Sequence, residues 1–228
     1  MTLAIQAFPD RGALMQHAAD EIAAALNEGI RACGAACAAL SGGSTPGPAY
    51  ERLATMSLDW PRVTFALVDE RCVPPTEPAS NEGLLRRTLA PALAAGARFV
   101  PMYSGSPTAD PVDAAYAGLS LDIAVMGMGA DGHTASWFPG GDGLTAALDP
   151  ESTRTVIGVR ASQAAGAADR LTLTRAALDR ADRVLLLITG TDKRQRLQAA
   201  LTQKIEDAPP VAALFARPGR QPEVLWAP

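Results

Sequence analysis

The sequence has few of the features that mark whole classes of protein. Its 228 residues include three cysteines and two histidines, and the 20 Lys and Arg are outnumbered by 24 Asp and Glu. So few cysteines exclude a disulfide framework and suit a reducing compartment. A net charge of −4 lacks the basic excess typical of nucleic-acid binding. No segment offers the roughly 20 apolar residues of a membrane span, and no secretory leader is visible at Met1–Asp10. We therefore expect a cytoplasmic protein with neither a nucleic-acid nor a membrane partner.

What is present favours one domain of the α/β class. Hydrophobic residues make up 48% of the chain, and neither a repeat nor a low-complexity linker divides it, so we expect a single domain over residues 1–228. Short apolar runs predict strands at Ala36–Leu40, Val63–Val68, Leu121–Met126 and Val184–Ile188. Helices are predicted at Ala13–Arg31, from Pro46 with Thr45 as its cap, after Ser80, and at Arg194–Leu201. This alternation predicts a Rossmann-like, three-layer α/β/α fold with a mostly parallel sheet.

A polar or glycine-rich segment follows each of the four predicted strands. These segments are Ser41–Pro46, Asp69–Arg71, Gly127–Thr134 and Thr189–Lys193. Such residues also make ordinary tight turns between strands and helices. Because the carboxyl ends of parallel strands share one edge of the sheet, where ligands bind, we expect the four segments to form one cleft.

The first segment has the composition of a phosphate-binding turn. Gly42 and Gly43 let the backbone approach a ligand closely, and Ser44 and Thr45 add hydroxyl donors. The pattern is not that of a Walker A loop. Lys193 begins another helix after a strand, where it contributes a charge to the same anion or is an ordinary solvated lysine.

The third segment contains His133, one of only two histidines. A histidine in a glycine-rich loop at a strand end is suited to take a proton from water near neutral pH. Asp131 either orients the imidazole or caps the turn, and backbone N–H groups of the loop are candidates to stabilise an oxyanion. The glycines match GxGxxG, but Pro139 and Gly140 follow too soon for the long helix of a dinucleotide site. The other histidine, His17, lies on the charged face of the first helix.

The second segment offers a cation, Arg71. It either binds a phosphate or carboxylate of the ligand, or pairs with Asp69 or Glu70 beside it. Cysteines without a histidine nearby do not predict a metal site, and small apolar filler is the default for all three thiols.

Together these segments resemble the 6-phosphogluconolactonase family, within the wider group that includes glucosamine-6-phosphate deaminases. The matching pieces spread over most of the chain: SGGSTP at 41–46, DER at 69–71, SN at 80–81, GMGADGHTASWFP at 127–139, RLTLT at 170–174 and TGTDK at 189–193. Deaminases of the group usually read DEY and DGHIAFNEP, so this chain is more similar to the lactonases. It departs from them at Cys72, where Trp is usual, and in the alanine-rich stretch Ala161–Asp169.

The resemblance implies hydrolysis of 6-phosphoglucono-1,5-lactone to 6-phosphogluconate in the pentose phosphate pathway, without cofactor or metal. It implies that His133 is the general base, with Asp131 and Arg71 in the catalytic site. Gly42, Gly43, Ser44, Thr45 and Lys193 would hold the phosphate, with Arg170 a further candidate. Two alternatives stay open: an amino-sugar phosphate deaminase or isomerase, and a sugar-phosphate-sensing module without turnover.

Overall fold

The chain folds around a parallel sheet, with a smaller antiparallel sheet beside it. The structure is a computed structural model that describes residues 4–162, 164, 166–205, 207–217 and 220–228. In these residues the strands are β1 Ile5–Ala7, β2 Ala36–Leu40, β3 Val63–Leu67, β4 Asp69–Arg71, β5 Arg98–Phe99, β6 Ile123–Gly127, β7 Val156–Arg160, β8 Asp169–Leu173, β9 Arg183–Thr189 and β10 Glu223–Ala227. The helices are α1 Arg11–Cys33, α2 Gly47–Leu53, α3 Asn81–Thr88, α4 Ala90–Ala94, α5 Asp110–Ala117, α6 Leu144–Leu148, α7 Arg175–Asp179 and α8 Thr191–Ala200, with 3-10 turns at Trp60–Arg62 and Pro210–Ala216.

The larger sheet has the order β1-β10-β9-β6-β2-β3-β5 in the described residues, and every neighbouring pair is parallel. From β2 the chain builds outward through β3 and β5, and then crosses to the other side of β2 to add β6 and β9. The direction of growth therefore reverses between β2 and β6. Ligands of open α/β sheets bind at such a switch point, outside the carboxyl ends of the two strands.

The predicted strands and helices are present, but several of them begin or end at other residues than predicted. Strand β2 has the predicted bounds, and all five of its residues are buried. Helix α1 is capped by Asp10, whose carboxylate accepts from Ala13 N–H at 2.8 Å, and Gly34, with a positive φ of 79°, caps its other end. Ser80 caps α3 as predicted, since its hydroxyl accepts from Gly83 N–H.

Two predicted helix starts are wrong. Helix α2 begins at Gly47, and Thr45 makes no capping bond, because the carbonyl of Pro46 is the first acceptor, for Ala49 and Tyr50 N–H. Helix α8 begins at Thr191 and so includes Lys193 in its first turn. The residues before α2 form a turn instead of a capped helix start.

The sequence did not predict the smaller sheet, in which β4, β8 and β7 pair in antiparallel fashion. Its register places Arg71 opposite Arg170, which brings two cations to the same place. In the alanine-rich stretch before β8, Gln163 and Ala165 lie outside the described residues. Among the helices that the structure describes, none combines the length and the apolar character needed to cross a bilayer.

Candidate active site

The four polar segments meet in one cleft of about 240 Å³. The volume lies below the usual range of pockets for drug-sized ligands, and fits one small polar molecule. Eight of the nine predicted site residues line the cleft: Gly42, Gly43, Ser44, Thr45, Arg71, His133, Arg170 and Lys193. Asp131 does not line it; this residue stands behind His133 and faces a neighbouring hollow.

The turn after β2 presents its backbone to the cleft. In the described part of the chain, the N–H groups of Gly43, Ser44 and Thr45 donate to no protein acceptor. Gly43 has a φ of 94°, which only glycine adopts without strain. At Gly42 a Cβ would lie 1.9 Å from Oδ1 of Asn81, so a side chain is excluded. The Ser41 hydroxyl is buried in the cleft wall and has no partner among the described residues. The turn therefore offers several unpaired donors to an anion.

The imidazole of His133 is held by Asp131. Nδ1 lies 2.6 Å from Oδ1 of Asp131, and the same oxygen accepts from the His133 backbone N–H at 3.1 Å. Asp131 therefore orients the ring and caps the turn at once. Since an ionised carboxylate only accepts, the proton is assigned to Nδ1, and Nε2 carries a lone pair. Burial alone would raise the pKa of Asp131, but the hydrogen bonds and charge of His133 outweigh burial and lower this pKa.

The rest of the histidine loop is tied to itself and to neighbouring elements. Gly129 N–H donates to the carbonyl of His133 at 2.9 Å, and Gly132 N–H donates to the carbonyl of Gly129 at 3.1 Å. Arg196 of α8 donates to the carbonyl of Asp131. The amides of Gly129, Gly132 and His133 are thus already used, and an oxyanion would have to bind other N–H groups of the loop.

Cationic side chains line the cleft: Arg71, Arg170 and Lys193. Among the described residues no ion pair joins Arg71 to Asp69 or Glu70; its guanidinium donates to the carbonyl of Ala79, and its Nε is buried without a partner there. Arg170 is 3% exposed. Burial, the largest cause in each case, lowers the pKa of Arg170 and of Lys193, and the charge of Arg11 lowers that of Lys193 further. An anionic ligand would offset this loss of solvation.

A buried polar network in the cleft wall escaped the sequence analysis. The carboxylate of Asp69 accepts from Ser136 Oγ at 2.6 Å and from Asn81 Nδ2 at 3.3 Å. Both Asp69 and Asn81 line the cleft. Ala135, beside Ser136, has a φ of 47°, which is unusual outside glycine and marks backbone strain at the site. The DER and SN motifs contained these residues, but nothing in their spacing paired them.

Glu70 plays a different part and does not face the cleft. Its carboxylate accepts from Ser80 Oγ and from the backbone N–H groups of Arg71, Asn81 and Glu82. Burial is the largest influence on this group and raises its pKa. Glu70 therefore joins β4 to the start of α3, and Asp131 is the partner of the histidine.

The chain is similar to known proteins over nearly its whole length. A family profile described as glucosamine-6-phosphate isomerases/6-phosphogluconolactonase matches residues 9–226. The chain belongs to this family. It is 41% identical over 235 residues to a 6-phosphogluconolactonase of Rhizobium meliloti strain 1021, with 100% of both chains covered. It is 39% identical over 228 residues to a 6-phosphogluconolactonase of Caulobacter vibrioides, with 98% of this chain and 97% of the relative covered.

Solved structures of the family share the fold. The crystal structure of a 6-phosphogluconolactonase from Shewanella baltica superposes with a TM-score of 0.91 at 33% identity, covering 100% of this chain and 98% of the other. The resemblance read from the motifs and the predicted α/β fold are thereby confirmed. Among the described residues, no three His, Cys, Asp or Glu side chains lie together in a way that could hold a metal ion.

Proposed function

We propose that this chain is a hydrolase that opens the ring of 6-phosphoglucono-1,5-lactone to give 6-phosphogluconate. The observation that carries the proposal is that His133, whose Nδ1 lies 2.6 Å from Oδ1 of Asp131, lines the same cleft as the unpaired amides of the turn at 43–45. One end of the cleft suits a phosphate, and the other offers a base to a water molecule. The relatives are named 6-phosphogluconolactonases, and such a substrate has both a phosphate and a lactone carbonyl.

In the proposed reaction, Nε2 of His133 takes a proton from water as the oxygen attacks the lactone carbonyl carbon. Such a base contributes typically about 10²–10⁴-fold in rate. The resulting imidazolium is stabilised by the carboxylate of Asp131, whose lowered pKa keeps it ionised. When the ring carbon–oxygen bond breaks, the imidazolium returns the proton to the departing ring oxygen. The ring opens to a hydroxyl and a carboxylic acid, the acid releases the second proton of the attacking water to solvent and becomes the carboxylate, and no cofactor takes part.

The remaining residues have binding roles in this proposal. The turn at 42–45 and Lys193 hold the phosphate, while Arg71 and Arg170 balance the charge that develops at the carbonyl oxygen or on the carboxylate product. A point charge and backbone amides together suit a dianion. The product, 6-phosphogluconate, would enter the pentose phosphate pathway, as the resemblance to the family implies.

Amino-sugar phosphate deamination is less well supported. Isomerisation of a sugar needs further acid or base groups near the histidine. Among the described residues that line the cleft, the one carboxylate is Asp69, and its oxygens already accept from Ser136 and Asn81. Beside the histidine, the cleft therefore offers one carboxylate, and two protein donors already engage it.

The proposal is tested by assaying the purified chain on freshly prepared lactone and on glucosamine 6-phosphate, each beside an enzyme-free reaction that measures spontaneous ring opening. We expect turnover of the lactone alone. His133→Ala should lower kcat by at least about 100-fold, and His17→Ala, which alters the histidine on α1, is the matched control. Turnover of the amino sugar, or binding of 6-phosphogluconate with no turnover of lactone, would refute the proposal.

A further inference from the structure

Phe138 contacts two side chains of the cleft without lining the cleft itself. Its ring centroid is 4.1 Å from that of the His133 imidazole, with 25° between the two planes. The guanidinium carbon of Arg170 lies 5.0 Å from the same ring centroid. His133 and Arg170 line the cleft, whereas Phe138 lines the hollow behind it, together with Asp131. One aromatic ring thus supports both the proposed base and a cation.

The stacked ring of Phe138 restrains the plane of the His133 imidazole, which the hydrogen bond to Asp131 does not restrain. The bond at Nδ1 fixes the position of one atom of the imidazole. A flat contact over the ring fixes its plane, and the plane decides where the lone pair of Nε2 points. Gly129 closes off the Cε1–Nδ1 side, since a Cβ there would lie 2.1 Å from Cε1. Loss of the aromatic face would therefore let the base tilt while its partner stayed in place.

Arg170 depends on the same ring. It belongs to β8 and is 3% exposed, and its Nε donates to the carbonyl of Ala167 at 3.1 Å. A guanidinium over an aromatic face is attracted to the ring electrons, and the attraction strengthens when the cation is desolvated. The ring therefore helps to hold the cation beside the cleft.

We propose that Phe138 is a positioning residue for the lactone hydrolysis: its ring sets the plane of the His133 imidazole and seats the guanidinium of Arg170, without touching the substrate. This role rests on the proposed function. Loss of the ring should therefore have two separate effects: kcat falls because the base is misplaced, and KM rises because the cation is no longer held.

The test compares a variant of Phe138 that lacks the aromatic ring with one that keeps it. In Phe138→Leu we expect kcat to fall by about 10- to 100-fold, because a small misplacement of a catalytic group has effects of this size. We expect KM for the lactone to rise by about 2- to 10-fold through the loss of the cation contact. Phe138→Tyr keeps the ring and should stay within about threefold of the wild type in both constants, since the face that stacks is unchanged.

Phe99 provides a matched control. It lies in β5, and the guanidinium carbon of Arg86 is 4.8 Å from its ring centroid, so it has the same kind of cation contact without an imidazole. Phe99→Leu should lower the melting temperature without changing kcat or KM. If Phe138→Leu does not fold, Phe138→Met keeps an apolar side chain of similar volume and is held to the same expectation.

A leucine or methionine variant within twofold of the wild type in kcat would overturn the proposal. Equal losses in the leucine and tyrosine variants would also overturn it, since the ring face would then not matter. A matching loss of kcat in Phe99→Leu would assign the effect to general destabilisation. Absence of lactone turnover in the wild-type chain would refute the proposed function first, and this role of Phe138 with it.

Discussion

Replacing Gly129 with alanine would place a methyl group where the His133 imidazole now lies. The added Cβ would be 2.1 Å from Cε1, 2.2 Å from Nδ1 and 2.8 Å from Oδ1 of Asp131. Carbon atoms pack at about 3.5–4.0 Å, so the imidazole would have to retreat by more than about 1 Å. The side chain of His133 is 30% exposed, which leaves it room to move. The mutation should therefore displace the base without unfolding the protein.

We expect Gly129→Ala to lower kcat/KM for the lactone by about 100-fold or more, since a 1 Å misplacement of a catalytic group has effects of this order. The melting temperature should fall by no more than about 2–4 °C, which corresponds to roughly 1 kcal/mol in a chain of this size. The assay compares initial rates on fresh lactone with circular dichroism melting of the same samples.

Gly118→Ala is the control for this experiment, because the nearest atom to its added Cβ would be 3.8 Å away and the residue already has a helical φ of −82°. It should retain full activity. If Gly129→Ala kept activity within threefold of the wild type, the imidazole would not need its present position, and the reasoning about His133 would be refuted.

Three further predictions concern the charges and thiols. Asp131→Asn should lower kcat by about 10²–10⁴-fold through loss of the tautomer that presents Nε2. Because the pKa of Asp131 is lowered on folding, its carboxylate stabilises the folded protein at pH values above the unfolded-state pKa, and this stabilisation is lost as the pH falls through the folded-state pKa. Asp131→Asn should therefore melt at a lower temperature than the wild type at neutral pH, and at the same temperature as the wild type in acid. The difference in stability at neutral pH should be less than about 1 kcal/mol, because the group is so exposed. Lys193→Met should raise KM by roughly 10- to 150-fold (about 1.5–3 kcal/mol) with little change in kcat, and an unchanged KM would contradict its phosphate role. A maleimide at neutral pH should label the exposed Cys33 well before the buried Cys37, whose pKa burial raises to about 12, as peptide mass spectrometry would show; equal rates would contradict this burial.

The parts of the fold that the sequence predicted are those specified locally. Strand β2 is a run of five buried residues next to a glycine turn, so both its ends are visible in the pattern. The Ser80 cap and the first helix likewise depend on residues a few positions apart. Because parallel strands end on one edge, the convergence of the four polar segments followed from the strands alone.

The missed parts depend on contacts between distant residues. Strand β4 has three residues, too few for a period, and it exists because it pairs with β8, about 100 positions along the chain. The bond from Ser136 to Asp69 and the stack of Phe138 on His133 have no sequence signature for the same reason. Asp131 shows a different limit: two local alternatives were open, and the structure realises both with one oxygen.

The sheet order explains why a phosphate turn and a base from distant stretches of chain meet at all. The turn at 41–46 follows β2, and the histidine loop follows β6, the strand beside it. Neighbouring strands are about 4.8 Å apart, so the two loops start within a sugar's width of each other. Within the larger sheet, the strand that follows β2 along the chain is β3 and the strand that follows β6 is β9, on opposite sides of the β2–β6 pair, so the two connections diverge. The space between them stays open, so a ligand there can contact the amides of the turn after β2 and the imidazole of the loop after β6.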